Sequence, residues 1–199
     1  MQEFISTLTI WALPVLFAIT LHEAAHGYAA RHFGDRTAEL AGRISLNPLR
    51  HIDPMETIVV PALILVTSSL AAGSAMLFGW AKPVPVNFGR LRNPKADMLW
   101  VAAAGPLANL AMAIGWALLF RLAVMMPESD YAIPMARMAD AGMQINAVLM
   151  MLNLLPLPPL DGGRIAVSLL PAGPAYKFAR LEPYGFPILL LLLFTGILG

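Results

Sequence analysis

A polar cluster set inside an apolar run is the feature that most constrains this chain. Residues 4–21 are almost entirely apolar, and they lead directly into His22, Glu23 and His26. Because ionisable groups are expensive at membrane depth, three of them in such a run indicate function rather than packing. On an α-helix, residues i and i+4 lie one above the other about 6 Å apart, so both imidazoles can reach one metal ion.

The spacing of these three residues is typical of a hydrolytic metal site. Glu23 follows the first histidine directly, where a general base can take a proton from a water that the metal activates. A hydrogen-bonded core histidine would explain one of these residues but not three at this spacing. The chain contains no Cys, so a third ligand has to be His, Asp or Glu. We predict one catalytic Zn²⁺ per chain, with three protein ligands and one open position.

The composition predicts an integral membrane protein. Hydrophobic residues make up 58% of the chain and charged residues 13%, against typical values of about 45–50% and about 25%. A formal net charge of +1 argues against nucleic acid as a partner. The first apolar run continues into the metal-site residues, so we expect a retained membrane helix and not a cleaved signal peptide.

The pattern of apolar runs predicts an all-α fold, a polytopic transmembrane bundle of about four to six membrane segments. We expect membrane helices over about 4–33, 96–126, 133–155 and 181–198. Short alternation around 40–46 and the proline-rich stretch 80–87 predict short membrane-associated strands or a hairpin. We expect one domain, 1–199, with a catalytic core over about 4–163 and a C-terminal membrane segment over about 181–198.

Three polar residues later in the chain are candidates for the same site. Asp161 precedes Gly162 and Gly163, which let the backbone pack closely and turn sharply, but it could equally cap a helix beginning at residue 164. Asn153 could donate to the oxyanion of a tetrahedral intermediate or satisfy the local backbone. Asn109, a buried amide on an apolar helix, serves either the site or the contact between helices.

Three stretches resemble motifs of the site-2 protease family, whose members are intramembrane zinc metalloproteases. They are Leu-His-Glu-Ala-Ala-His-Gly at 21–27, Gly-Pro-Leu-Ala-Asn at 105–109, and Asn-Leu-Leu-Pro-Leu-Pro-Pro-Leu-Asp-Gly-Gly at 153–163. The resemblance implies zinc bound by His22, His26 and Asp161, Glu23 as general base and Asn153 as oxyanion donor. We expect a compact form without the PDZ and CBS regulatory domains that are frequent in the family.

The resemblance also implies a substrate and a location. The substrate would be a membrane protein whose peptide bonds are cut in or near a transmembrane segment. Residues 80–87 resemble a membrane-dipping strand that could pair with unwound substrate, and we predict substrate contacts for Val84, Val86 and Asn109. We expect an integral protein of the bacterial inner membrane, in contact with lipid, with its active site toward the cytoplasm. His51 recurs in compact members, and we expect a structural role for it.

The motifs constrain the topology as well. His22 and Asp161 lie near the C-terminal ends of two predicted helices, so these two helices must run parallel for both residues to reach one metal. The helix over 96–126 is then antiparallel to both, and an even number of crossings separates residues 33 and 96. Because segment 55–79 is too short for two crossings of about 20 residues each, we predict that it is re-entrant or peripheral. The basic loops 34–54, 80–95 and 164–180 would then all face the cytoplasm.

Two other function classes share some of these features. A membrane metal-ion transporter would use the same ligands as a translocation site, but it would favour further polar residues along one pathway and paired repeats. Neither is found in the sequence. An inactive scaffold that binds a partner's helix would be free to lose the base or a ligand, and here Glu23 and Asp161 are both intact. A protease is therefore the preferred interpretation.

Overall fold

The computed structural model of this chain describes residues 2–48 and 83–195, and these residues are helical without a β-strand. The helices are α1 (Gln2–His32), α2 (Thr37–Leu40), α3 (Pro94–Val124), α4 (Ala132–Asn153), α5 (Asp161–Leu169), α6 (Ala172–Ala179) and α7 (Glu182–Phe194). A short 3-10 turn, Phe88–Arg90, precedes α3. The four predicted helices correspond to α1, α3, α4 and α7. The predictions for segment 55–79 and for His51 lie outside the described residues.

Two of the described helices are long and apolar enough to cross a membrane. They are α1, over Ser6–His32, and α3, over Pro94–Val124. Much of the apolar surface of α3 faces outward, since Leu107, Ile114 and Leu118 are each more than half exposed. Lipid is a suitable environment for such a surface, whereas a soluble monomer rarely exposes a large continuous apolar patch.

The directions of α1 and α3 follow from contacts between their side chains and backbones. His26 Nδ1 donates to Val101 O at 2.7 Å, and Asn109 Nδ2 donates to Ala18 O at 3.3 Å. From Ala18 to His26 the chain runs forward along α1, while the residues of α3 that they contact run backward from Asn109 to Val101. The two helices are therefore antiparallel.

Helix α4 returns along α3 in the opposite direction. Asn109 of α3 meets Asn146 of α4, and further along α3 Trp116 meets the earlier residue Gly142. A Cβ on Gly142 would come within 2.6 Å of Cε2 of Trp116, so the absent side chain allows this close approach. Since α3 is antiparallel to both neighbours, α1 and α4 are parallel, which confirms the predicted arrangement of the three helices.

The predicted strands do not form in the described residues. Leu40 ends helix α2, and residues 41–46 are turns and irregular chain. The backbone N–H groups of residues 41–43 donate to carbonyls of α2, and Gly42 has a φ of 63°, so the chain turns here and does not extend. Residues 83–87 are irregular as well. Pro83 and Pro85 have no backbone N–H, and the backbone N–H groups of Val84 and Asn87 donate to carboxylates. These residues therefore have no N–H left to pair with a neighbouring strand.

Candidate metal centre

Three potential ligand atoms converge beside α1. His22 Nε2 and His26 Nε2 lie 3.1 Å apart, and Asp161 Oδ2 lies 3.3 Å from each of them. Ligand atoms placed tetrahedrally at about 2.0–2.1 Å from zinc lie about 3.3–3.4 Å from one another. The three atoms therefore form a triangle of nearly the size that one face of a zinc tetrahedron requires. Within the described ranges, no other group of three His, Cys, Asp or Glu side chains meets the geometry of a metal site.

The chemistry of these three groups also fits a cation. All three residues are buried, each no more than 9% exposed. Asp161 Oδ2 is a buried carboxylate oxygen without a hydrogen-bond partner in the described structure. Leaving such an oxygen unsatisfied is costly, whereas a divalent cation between it and two imidazole nitrogens would satisfy all three. The donor set of two His and one carboxylate is common for catalytic zinc.

The second nitrogen of each imidazole is held by α3. His22 Nδ1 donates to Asn109 Oδ1 at 2.5 Å, and His26 Nδ1 donates to Val101 O at 2.7 Å. An amide or carbonyl oxygen can only accept, so the proton lies on Nδ1 in both rings. Each Nε2 then keeps its lone pair and points to the shared centre, as metal binding requires.

A glycine in α3 makes room for the two imidazoles. A Cβ built on Gly105 would lie 2.6 Å from His22 Nε2 and closer still to His26 Nε2. These are the atoms that would bind the metal. Gly105 thus leaves space for the Nε2 atoms of both histidines. One helical turn later, Asn109 provides the oxygen that accepts from His22 Nδ1.

Asp161 reaches the histidines because the chain packs tightly around the start of α5. A Cβ on Gly162 would overlap the backbone of Leu154, and one on Gly163 would overlap the backbone of Pro158. The predicted close packing is confirmed, but neither glycine has a positive φ, so the reason is space and not a sharp turn. The alternative of a cap at residue 164 is wrong, because α5 begins at Asp161 and its carboxylate faces the histidines.

Glu23 lies in the same cavity and is bound by the chain opposite. The cavity has a volume of about 780 Å³ and is lined by all three ligand residues and by Glu23. Glu23 Oε2 accepts from the backbone N–H of Val84 at 2.7 Å. The described segment 83–87 therefore forms one wall of the cavity and is attached directly to the predicted general base.

The other predicted site residues have different positions. Val84 and Val86 line the cavity. Asn153 lines it too, but its Nδ2 donates to Leu149 O at 3.0 Å, as the local-backbone interpretation expected. Asn109 is fully buried behind His22, so it does not face the cavity, and its predicted contact with substrate remains untested.

A second carboxylate holds the far end of segment 83–87. Asp35 is fully buried, and its Oδ2 accepts from the backbone N–H of Asn87 at 2.6 Å. Burial by itself would raise the pKa of Asp35. The hydrogen bonds from Thr37 and Asn87, together with the Arg90 guanidinium, instead lower that pKa below its usual value. Two carboxylates, Glu23 and Asp35, thus fix this wall of the cavity.

The sequence interpretation missed two of these residues. Asn146 is fully buried and bonded to Asn109, and it could have been found by the signal that identified Asn109, a lone amide on an apolar helix. It also lies seven residues before Asn153, two turns along the same helix face. Asp35 was missed because an Asp after a helix end is common in turns, and only the fold places it against Asn87.

The chain is similar in sequence to curated proteins that are named as zinc metalloproteases. The chain is 38% identical over 196 residues to a Bacillus subtilis protein named "Putative zinc metalloprotease YwhC", an alignment that covers 97% of this chain and 84% of that protein. It is 33% identical over 186 residues to "Putative zinc metalloprotease Rip2" of Mycolicibacterium smegmatis, covering 92% of this chain and 66% of that protein. Rip2 of Mycobacterium tuberculosis is 34% identical over 148 residues, 74% of this chain and 52% of that protein.

Other comparisons add nothing to this, since no protein-family model and no solved structure matches the chain. Identity to YwhC extends over nearly the whole chain, and the residues that converge on the metal centre are those that the motifs predicted. The chain therefore belongs to the site-2 protease family of zinc metalloproteases.

Proposed function

We propose that this protein is an intramembrane zinc metalloprotease that hydrolyses peptide bonds in or near transmembrane segments of membrane-protein substrates. The observation that carries the proposal is the convergence of His22, His26 and Asp161 beside Glu23 in one cavity. Two of these ligands and the base come from α1, which is long and apolar enough to cross a membrane. A hydrolytic site on such a helix gives access to peptide bonds at membrane depth.

His22, His26 and Asp161 would hold the zinc ion. A bound zinc ion supplies Lewis-acid chemistry, because it makes water acidic at neutral pH and polarises a carbonyl oxygen. The remaining steps fall to side chains of the protein.

Glu23 is the proton carrier of the proposed reaction. Its carboxylate takes a proton from the attacking water and later gives it to the leaving nitrogen of the substrate. The hydrogen bond from Val84 N–H fixes one carboxylate oxygen of Glu23 at the cavity wall. The other carboxylate oxygen of Glu23 is then the one that would exchange the proton.

Asn153 is proposed to stabilise the oxyanion. Its amide has two N–H groups, and one of them donates to Leu149 O. The second N–H is available to the oxygen that becomes negative when water attacks the carbonyl. A donor fixed in this way before the reaction is effective, because it does not have to reorient in the transition state.

The cavity wall is suited to extended rather than helical substrate. A helical amide in lipid is already hydrogen-bonded and covered, so the substrate has to unwind before its carbonyl can be attacked. Val84, Val86 and the facing side chains of Phe186 and Leu189 provide apolar contacts for such a segment. Helix-weakening residues in the substrate should therefore favour cleavage.

The proposed topology is a polytopic bundle in one domain, in the inner membrane of a bacterium, with the site toward the cytoplasm. Support comes from Arg92 N–H, which donates to Phe33 O at 3.0 Å. The end of α1 and the start of α3 are thus on the same side, as an even number of intervening crossings requires. The prediction of a re-entrant or peripheral 55–79 is part of this proposal.

The direct test uses purified protein in liposomes and a panel of single transmembrane segments with and without helix-weakening residues. The wild type should cleave segments of the first kind, and Glu23→Gln should lose cleavage while it keeps bound zinc. As a control, Glu128→Gln changes an exposed carboxylate outside the site and should leave the rate unchanged. Cleavage by Glu23→Gln at the wild-type rate would contradict the proposed mechanism.

A further inference from the structure

Asn146 is a buried side chain that the proposed reaction leaves without a role. It lies on α4 with 0% exposure, and neither of its two hydrogen bonds is made to His22, His26 or Asp161. Its Nδ2 donates to Gly142 O at 2.9 Å, one turn earlier, and its Oδ1 accepts from Asn109 Nδ2 at 2.9 Å. A fully buried amide in an apolar helix is costly unless it is hydrogen-bonded, and a polar residue in such a helix is a candidate for a functional role.

The hydrogen bonds of Asn146 have only one consistent direction. Gly142 O can only accept, so the NH₂ group of Asn146 must face it and the carbonyl oxygen of Asn146 must face Asn109. That oxygen also can only accept, so the NH₂ group of Asn109 must face Asn146. The carbonyl oxygen of Asn109 is then left facing His22. A backbone carbonyl in α4 thereby determines the orientation of a side chain in α3.

The orientation of Asn109 decides which nitrogen of His22 carries the proton. With its oxygen toward the ring, Asn109 requires a proton on Nδ1 and leaves Nε2 free for a metal. If the amide were rotated by half a turn, its NH₂ group would face Nδ1 and the ring proton would move to Nε2. The other acceptor for the Asn109 NH₂ group, Ala18 O, is at 3.3 Å, so Asn146 supplies the shorter of the two contacts.

We propose that Asn146 is a positioning residue for the metal centre, which holds Asn109 in the orientation that keeps Nε2 of His22 available as a ligand. The inference rests on the proposed zinc site and deepens it. Asn146 acts through Asn109, so substitution of Asn146 should have no effect on zinc affinity once Asn109 has been replaced. A residue that only helped to pack α4 against α3 would not show this dependence.

The test is a double-mutant cycle on zinc affinity, measured with full-length purified protein and a competing chelator. Loss of a group that orients a metal-bound histidine typically weakens binding about 10- to 100-fold. We expect Asn109→Leu to weaken zinc affinity within this range and Asn146→Leu to weaken it about tenfold. The double variant should bind zinc no more weakly than Asn109→Leu alone. Ser168→Ala, which removes a partly buried hydrogen bond to Arg164 O, should leave the affinity unchanged.

Two results would overturn the inference while the zinc site itself stands. One is an unchanged affinity in Asn146→Leu, and the other is a loss in that variant that multiplies fully onto Asn109→Leu. If the leucine variant does not fold, Asn146→Asp decides, because a carboxyl group buried in an apolar helix stays neutral. Its O–H then donates to Gly142 O while its carbonyl oxygen accepts from Asn109, so the variant should retain wild-type affinity within about twofold. A tenfold loss there would contradict the role. Absence of zinc binding in the wild type would instead refute the proposed function.

Discussion

Gly105 of α3 faces His22 of α1 so closely that a methyl group on Gly105 would lie 2.6 Å from Nε2 of the imidazole. The two residues belong to separate motifs, and their contact shows why a glycine is needed at this point. The atom that would be displaced is the one expected to bind the metal. The requirement concerns space at the ligand nitrogen and not the conformation of the helix, since Gly105 has no positive φ.

Gly105→Ala should therefore strongly weaken zinc binding with little effect on helix content. The added methyl group would displace both ligand nitrogens, and overpacking of this kind typically costs about 1–3 kcal/mol. Metal content and circular dichroism of the purified variant would check this. Gly115→Ala is the matched control on the same helix, because nothing lies within 4 Å of its Cβ. Full zinc occupancy in Gly105→Ala would show that the ligand set is wrong.

Asp161→Ala should lose the metal as well. The wild type is expected to bind about one zinc per chain, and the variant, left with two imidazoles, should bind far less after dialysis. Elemental analysis of both proteins is the measurement. Asp140→Ala, which removes an exposed carboxylate on α4, should retain the metal. An equal zinc content in Asp161→Ala would mean that Asp161 is not a ligand of the metal that the histidines bind.

Asn153→Ala should lower kcat without loss of zinc. Removal of one oxyanion donor typically reduces kcat about 100- to 1,000-fold, because the contact strengthens only in the transition state. Steady-state cleavage of a membrane segment would give kcat and KM separately. We expect KM to change little, whereas Gln144→Ala on the same helix should leave both unchanged. If only KM rises, Asn153 binds substrate in its ground state and has no oxyanion role.

Asp35 should make stability depend on acid. Its pKa in the folded protein is lower than in the unfolded chain, so the unfolded chain takes up a proton first as the pH falls. The stabilisation by Asp35 is therefore complete above about pH 5 and is lost as the pH falls through its folded pKa. Asp35→Asn should flatten this part of the profile.

Denaturant titrations of both proteins in detergent between about pH 6 and about pH 3 would measure the effect on the free energy of unfolding. Asp130→Asn, an exposed carboxylate in the turn before α4, serves as the control. An equal slope in wild type and Asp35→Asn would mean that the hydrogen bonds of Asp35 do not hold the folded state.

The convergence of His22, His26 and Asp161 could be predicted because these residues lie in short patterns with a physical meaning. His22 and His26 are related by one helical turn, and the demand that Asp161 reach them gave the parallel arrangement of α1 and α4. The contacts of Asn109 with His22 and Asn146 were beyond such reasoning, since helix periodicity gives a face but not the rotation of a neighbouring helix. The strand prediction was wrong at 40–46 because alternation over a few residues is weak beside the turn at Gly42 that ends α2.

Three hydrogen bonds return the chain to the site after residues 49–82: Val84 to Glu23, Asn87 to Asp35, and Arg92 to Phe33. Together they fix residues 84–92 in relation to α1 and to the turn that follows it. Because all three donors are backbone N–H groups, any substitution at Val84, Asn87 or Arg92 except proline keeps the donor. The cavity wall can therefore change its side chains, and with them its shape and polarity, without losing its attachment to α1.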